Sequence, residues 1–416
     1  MSPGLTTAWE GRPTKLGTHL MFHCELQRLA GNDQLQADWR DLLDRVRPEL
    51  RLFGPEWYSI WDRTIGSHAP WTGEMQVVAV YDESNRLCGV MPIGHPKAGL
   101  LRVNAMGGYF QPWRLVLAQQ SHEFAIGRAI GWFLVEIGWS VLQLGPWPMS
   151  HETHRGVLSA LNELEMPMRR QSSDELATAE LPATWEQCRA ETIGRKFRQR
   201  VCTFENRLAR DHTVEVRHLR HPSATESSDF VAALAQIEQR SWLGDDSHGR
   251  RRFIGSVEQR FWSELIHGCL APQDFFDGWL LLADKKPISF VVAATVGSTR
   301  YVLANQYDEA WSNYRVGSQL YWRMFQEGYS RGVTRYDFGT NELHYKGRWG
   351  ARATDRVESF AVSVNHIVSG FWNAGLKLKS LVDGSLLGRH ATHEQLASGE
   401  PHPESAPAHT EELVGA

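Results

Sequence analysis

The stretch GWLLLADKKPISFVVAATVGSTRYVLANQYDEAWSNYRVGSQLYWRMFQEGYSRGVTRYDFGTNELHYKGRWG, residues 278–350, decides how this chain folds. Residues 278–283 and 288–296 read as a hairpin across Asp284-Lys285-Lys286-Pro287, and residues 300–307 as the next strand. Residues 317–331 follow with helical periodicity, and residues 333–338 return as a strand. At the helix entry stands Tyr314-Arg315-Val316-Gly317-Ser318. A strand that opens onto a helix through such a turn presents unpaired backbone N–H groups and the positive end of a helix dipole. That combination is a seat for a pyrophosphate.

Working outward, the same order of elements recurs upstream. Residues 75–82 and 87–94 read as strands joined by Glu83-Ser84-Asn85-Arg86, with further strands at 100–106 and 114–118. A helix at 121–137, a strand at 139–145 and a helix at 151–164 follow. Residues 87–94 align with 287–294 at a shift of 200, and Gly138-Trp139 with Gly332-Val333 at 194. Near-constant spacing over one element order points to two copies of one α/β fold. The expected divisions are an N-terminal arm at 1–36, a first unit at 37–184, a linker helix at 185–212, a second unit at 213–383 and a disordered tail at 384–416. In the linker, Ile193, Phe197, Val201, Phe204 and Leu208 share one helical face. Arg195, Lys196, Arg198, Arg200, Arg207 and Arg210 occupy the rest, as a solvated face or as a surface for phosphates or anionic headgroups.

Composition excludes several classes. A chain of 416 residues with 42% hydrophobic residues supports full-sized cores, and a net charge of −4 gives no basic field for nucleic acid. The five cysteines form no CxxC pair, which argues against a disulfide scaffold or zinc knuckle and suits a reducing, cytoplasmic setting. No apolar run is long enough for a membrane span, which leaves only peripheral membrane contact open. His151-Glu152-Thr153-His154 is one residue short of a zincin motif, so no metal is expected, and no Walker A, GxGxxG or G-x-S-x-G motif is present.

Three blocks carry a resemblance: Gly194-Arg195-Lys196-Phe197-Arg198, then Tyr307-Asp308 through Tyr314-x-x-Gly317, then Tyr336-Asp337-Phe338-Gly339 with Glu342, Tyr345-Lys346 and Arg348-Trp349-Gly350. With these, residues 50–365 resemble the CelD/BcsL-type acetyltransferases, the BioF-like branch of the GNAT superfamily. The resemblance implies two tandem GNAT-like domains, each a mixed, mainly antiparallel sheet flanked by helices (α/β, or α+β). It also implies acetyl-CoA or a longer acyl-CoA as donor, and a small-molecule or glycan-precursor acceptor of the exopolysaccharide or cell-envelope kind. The phosphate turn departs from the usual Q/R-x-x-G-x-G/A pattern, with Arg315, Gly317 and Ser318 giving a degenerate version. The first copy leads its helix with Gln119-Gln120-Ser121-His122 and has no such turn, so the second copy is expected to hold the cofactor through Arg315, Val316, Gly317, Ser318 and Gln306.

Acyl transfer needs a donor for the thioester oxygen, a base for the incoming nucleophile and an acid for the leaving thiolate. Tyr345 stands where such a tyrosine protonates the thiolate, Glu342 is a candidate base, and Asp337 ends a strand where ligands gather in open sheets. The plain alternative for Asp337 is a cap on loop N–H groups. Glu238, Trp242, Lys346, Arg348 and Trp349 are expected at the acceptor, against the commoner fate of Trp as core filling. Two other readings remain: a Fem-like aminoacyl-transferase, and a non-catalytic component of a polysaccharide-synthesis assembly.

Overall fold

The computed structural model describes residues 21–68, 71, 75–98, 101–107, 110–111, 113–244, 251–268, 275–340 and 343–375. The chain begins with strand β1 (Phe22–Arg28), helices α1 (Asp33–Leu43) and α2 (Pro55–Trp61), and the hairpin β2 (Gln76–Asp82) and β3 (Leu87–Gly94). Two-residue β4 (Lys97–Ala98), β5 (Leu101–Met106), two-residue β6 (Leu117–Ala118), α3 (Glu123–Glu136), β7 (Val141–Pro148), α4 (Glu152–Glu163) and β8 (Met168–Glu180) complete the first half. The short α5 (Trp185–Gln187) and the long α6 (Arg195–Asp211) lead to the second half. There β9 (Val214–Arg220), α7 (Ala224–Arg240), α8 (Ser256–Gly268), β10 (Phe275–Ala283), β11 (Lys286–Val296), β12 (Thr299–Tyr307), α9 (Val316–Ser330), β13 (Arg335–Thr340), α10 (Leu343–Gly347) and β14 (Arg352–Ser363) repeat the order.

The strands form one sheet in the order β1-β2-β3-β5-β7-β14-β8-β13-β12-β11-β10-β9. That order is symmetric about its centre: β1 answers β9, β2 answers β10, β3 answers β11, β5 answers β12 and β7 answers β13. In each half one neighbouring pair is parallel, β5 with β7 and β12 with β13, crossed by α3 and α9 respectively. The rest of the ladder is antiparallel. The centre is an exchange. Strand β14 of the second half lies beside β7 of the first, and β8 of the first lies beside β13 of the second. Each half is therefore closed by the other's last strand, and the division expected between 184 and 213 is crossed by hydrogen bonds.

The expected N-terminal arm needs correction. Residues 22–28 are the edge strand β1, paired with β2 from Phe22↔Asp82 to Arg28↔Gln76, and α1 starts at Asp33 under the side-chain cap of Asn32. The sequence FHCELQR alternates apolar Phe22, Cys24 and Leu26 with polar His23, Glu25 and Gln27, the pattern of a strand with one face buried. The hairpin turn is also tighter than expected: Asp284 and Lys285 both have positive φ, 50° and 68°, as a two-residue turn of the I′ type requires. The tail at 384–416 and the end of the second unit at 383 lie outside the described residues.

Tryptophan builds the core. Trp39, Trp57, Trp61, Trp147, Trp262, Trp279 and Trp349 are all within 2% of full burial. Trp57 of α2 meets Phe261, Trp262 and Phe276 at 6.1–6.4 Å between ring centroids, so the halves share a continuous apolar cluster. Truncating one such ring costs about 3–5 kcal/mol.

A buried ion network fixes the outer part of the second half. Arg300 is fully buried and pairs with Asp277 at 2.9 Å and Glu327 at 2.7 Å, while His218 reaches Asp277 at 2.8 Å. His218, Asp277 and Glu327 are close enough to share a metal ion. The guanidinium groups of Arg300 and Arg220 already neutralise these carboxylates.

Candidate functional site

Strands β12 and β13 pair only at Thr299↔Arg335, Arg300↔Tyr336 and Tyr301↔Asp337. Beyond that point they part, and a wedge opens between residues 302–307 and 338–340. One side of the wedge is irregular: the β11–β12 ladder slips between Val292 and Ala293, so Leu303 has no direct partner. Such a bulge frees main-chain groups from the ladder.

Alternation along β13 separates the two faces. Tyr336 and Phe338 lie on the α9 side, where Tyr336 stacks on Phe325 at 4.2 Å. Asp337 turns the other way, accepting hydrogen bonds from Trp113 Nε1 at 3.3 Å and Gly339 N at 2.7 Å. Burial pushes its carboxyl above the ordinary value, against the lowering effect of those two donors and of Arg335 and Lys346. The capping role is thus observed, and the carboxylate also faces a cavity of about 150 Å³.

Tyr345 belongs to the opposite face. Residues 343–347, expected as a loop, form the short helix α10. From it the Tyr345 hydroxyl reaches to within 3.5 Å of Asn305 Oδ1, on the free part of β12, and its ring lies edge-on to Tyr321 of α9 at 6.4 Å. A phenol thus borders the wedge from the α9 side and a carboxylate from the other. Glu342 lies outside the described residues, as does Cys269.

The turn before α9 is held from three directions. Asp308 caps it through Ala310 N and is clamped by Arg240 at 2.6 Å. Tyr314 gives its hydroxyl proton to Asp211 of α6 at 3.2 Å, beneath Arg207 at 5.2 Å from the ring. Arg315 then takes a left-handed conformation, φ 52° and ψ 39°, and α9 begins. Its first two N–H groups, of Val316 and Gly317, have no intrahelical acceptor, while Ser318 N donates to Arg315 O at 3.0 Å. A Cβ on Gly317 would meet only Tyr307 Cδ1 at 3.6 Å, so the space above the helix head is open. These residues fit a pyrophosphate. Val316 is fully buried, backbone included, so Gly317 is the head residue that faces the open space.

Other expected contacts fall elsewhere. Gln306 and Glu238 are buried and bond to each other at 3.1 Å, and Glu238 also accepts from Arg252 N and Phe253 N. They tie α7 to β12 and hold the segment before α8, a supporting role. Lys346 is buried and donates to Thr340 O at 2.6 Å, closing the end of β13. Trp349 is core, stacked on Tyr321 and edge-on to Phe197 at 5.2 Å, so it is not a sugar platform. Arg348 lies 6.0 Å over Phe197, and Trp242 is 45% exposed at the end of α7. The Gly194–Arg198 and Tyr345–Gly350 blocks therefore meet physically. Gly350 explains its own identity: it has φ 84°, and a Cβ would lie 2.2 Å from Thr192 Cγ2.

An acceptor-shaping or structural role is expected of the first copy, but sequence reasoning missed the residues that supply it. Arg47, Trp113 and His151 line the cavity together with Tyr301, Arg335 and Asp337. Arg47 donates to His151 Nδ1 at 3.0 Å, and burial first, then Arg47 and Arg335, push His151 down to about 3. No short-range motif announces this group, because the fold gathers it from distant segments.

Residues 195–347 match the family described as acetyltransferase (GNAT) domain, which places a GNAT-type domain across α6 and most of the second half. No curated protein matches the chain. Among solved structures, FemX is similar at 12% identity over 81% of this chain and 98% of that one, with a TM-score of 0.54. A tandem GNAT protein from the clavulanic acid biosynthesis pathway is 8% identical over 82% and 99%, with a TM-score of 0.48. L-PGS from Bacillus licheniformis is 12% identical over 69% and 83%, at 0.42. The likeness to FemX is one of fold. The chain has the tandem GNAT architecture.

Proposed function

We propose that the protein transfers an acyl group from a coenzyme A thioester to an amine or hydroxyl acceptor in the wedge between β12 and β13. The observation that carries this is the placement of Tyr345 and Asp337 on opposite sides of one gap, with the open head of α9 beyond it. The GNAT match over residues 195–347 supports the donor class. When bound, coenzyme A supplies an activated acyl carbon and a thiolate leaving group.

The protein's own residues divide the remaining work. The open head of α9 at Gly317 binds pyrophosphate oxygens, with Arg315 beside it. Main-chain groups freed at the Leu303 bulge are the donors for a developing oxyanion. Asp337 receives the acceptor's proton, and its raised proton affinity brings it nearer to that task at neutral pH. Tyr345 gives its hydroxyl proton on the other side, where the thiolate departs, and is reprotonated from solvent. The first half shapes the acceptor side, since Trp113 and Arg47 come from it.

The test is thermal stabilisation by acetyl-CoA and longer acyl-CoA thioesters, with thiol release in the presence of acceptors. A ligand that binds only the folded protein at about 100 times its Kd adds about 2.7 kcal/mol. Absence of any shift with every thioester would sink the proposal.

A further inference from the structure

We propose that the reacting end of the acceptor is a primary amine that also carries a carboxylate, and that the cavity between the halves recognises both groups. This rests on the acyl-transfer reading above and narrows it.

The cavity sits on the paired part of β12 and β13, one step from the wedge, with walls from both halves. Two guanidinium groups border it. Arg335 has one ionic contact, from Nε to Glu180 at 3.3 Å, and its Nη atoms meet no acceptor among the described residues. Arg47 donates to His151 and lies 3.2 Å from Glu123 through Nε. His151 accepts at Nδ1 from a cation, so it stays neutral and adds no positive charge of its own. A guanidinium with unused parallel N–H donors fits a carboxylate in two-point contact.

Negative charge borders the same space. Asp337 lines it from β13, and Glu49 and Asp355 stand at its margin. Asp355 is already engaged by Ser150 N and Oγ. The hydrogen bonds to Asp337 come only from neutral donors, Trp113 and Gly339 N, so its carboxylate can still take an ammonium in direct contact, beside the more distant charges of Arg335 and Lys346. The space of about 150 Å³ holds a short polar body. An alkyl chain would strand its charged walls unpaired. An amine and a carboxylate on a few carbons satisfy both signs within the volume.

The chemistry balances. Of the three protons on the ammonium, one stays in the amide and two reach solvent by way of Asp337, while the thiolate takes the proton of Tyr345, which solvent replaces, so one proton is released overall. The C–N bond forms as the C–S bond breaks, and no oxidant or reductant is needed.

The experiment is calorimetric titration of the full chain with the common α-amino acids, short peptides bearing a side-chain amine near a terminal carboxylate, the matching carboxamides, and the decarboxylated amines. At least one carboxylated amine should bind, and its carboxamide should bind about tenfold more weakly or worse, as loss of a charge-assisted hydrogen bond implies. Free amino acids and peptide ends are the two sources of this chemistry, and the arm that binds tells them apart. Arg335→Gln should shrink the carboxylate preference to about twofold or less, with Arg335→Lys between the two. Equal binding of carboxamides, or binding by no carboxylated amine in the panel, overturns the proposal. Stabilisation by acetyl-CoA is measured alongside. A carboxylate preference without that stabilisation refutes acyl transfer and keeps the cavity assignment, while stabilisation without the preference does the reverse.

Discussion

The gap beside β5 and β7 and the gap beside β12 and β13 occupy equivalent places in the two halves, yet their contents are opposite. In the first half the chain bridges its own gap: Arg114 donates from N to Pro146 O at 2.7 Å and from Nη1 to Gly145 O at 2.9 Å, and Gly145 N meets Met106 Sδ at 3.2 Å. The helix that follows opens with Glu123, whose carboxyl burial pushes up while Arg47 at 3.2 Å pulls it down. In the second half the strands part, Tyr345 meets Asn305 at the rim, and the helix opens with Val316-Gly317-Ser318. An acid at one helix head repels a pyrophosphate, and an open glycine at the other admits it. One copy has become the wall of the other's site.

The bluntest way to break this comparison is to separate the copies. A chain ending at Gly350 lacks β14, leaving β7 and most of β8 with open edges and removing the buried Val357, Phe360 and Val362. It should give no soluble protein with a cooperative unfolding transition. A folded fragment would show that the exchanged strand is dispensable and the halves independent.

Transplanting the acid is subtler. Gly317→Glu should weaken coenzyme A binding by roughly a hundredfold, about 2.7 kcal/mol, with the unliganded Tm little changed because the site has room. Glu123→Gly should create no coenzyme A binding in the first half, since Arg114 still bridges the gap. Titration of both variants by thermal shift checks the pair, and binding gained at the first site would contradict the comparison.

Tyr345→Phe should lower kcat by about a hundredfold, within the usual range for a lost general acid, while coenzyme A affinity stays within about a factor of two. Steady-state rates with a separate binding titration distinguish this from a folding defect.

Asp337→Asn should lower kcat/KM by a similar or smaller factor. It should also remove the rise in kcat/KM that the parent shows as pH climbs above the ordinary carboxylate range. The stability effect has the opposite sign. A raised folded-state pKa contributes stability that is present below about pH 4 and lost as pH rises through the folded value. At neutral pH the Asn variant should therefore be at least as stable as the parent, which Tm measured against pH will show.

Much of this was legible in sequence where a residue's neighbours are local. The hairpins, the helix after the phosphate turn and the repeated order could be read from periodicity, because each buries a regular face. Strand β8 could not. Its first six residues, MRRQSS, are all exposed, and backbone pairing to β14 places them without any apolar pattern. Strand β9, VEVRHLR, is an edge with little buried surface and was equally silent. At the site, Asp337 and Tyr345 stood out by position after a strand and within a block. Arg47, Trp113 and His151 did not, because only the exchange of strands and the shared Trp57 cluster bring the first half over β13. Trp349 and Glu238 misled for the reverse reason: a large aromatic and a charge near a site are more often parts of its frame.

The most direct measurement is a crystal structure of the protein with coenzyme A. The ligand should lie in the β12/β13 wedge, with its pyrophosphate at the head of α9 by Gly317 and its sulfur near the Tyr345 hydroxyl. Coenzyme A at the β5/β7 gap, or with its sulfur remote from Tyr345, would contradict this.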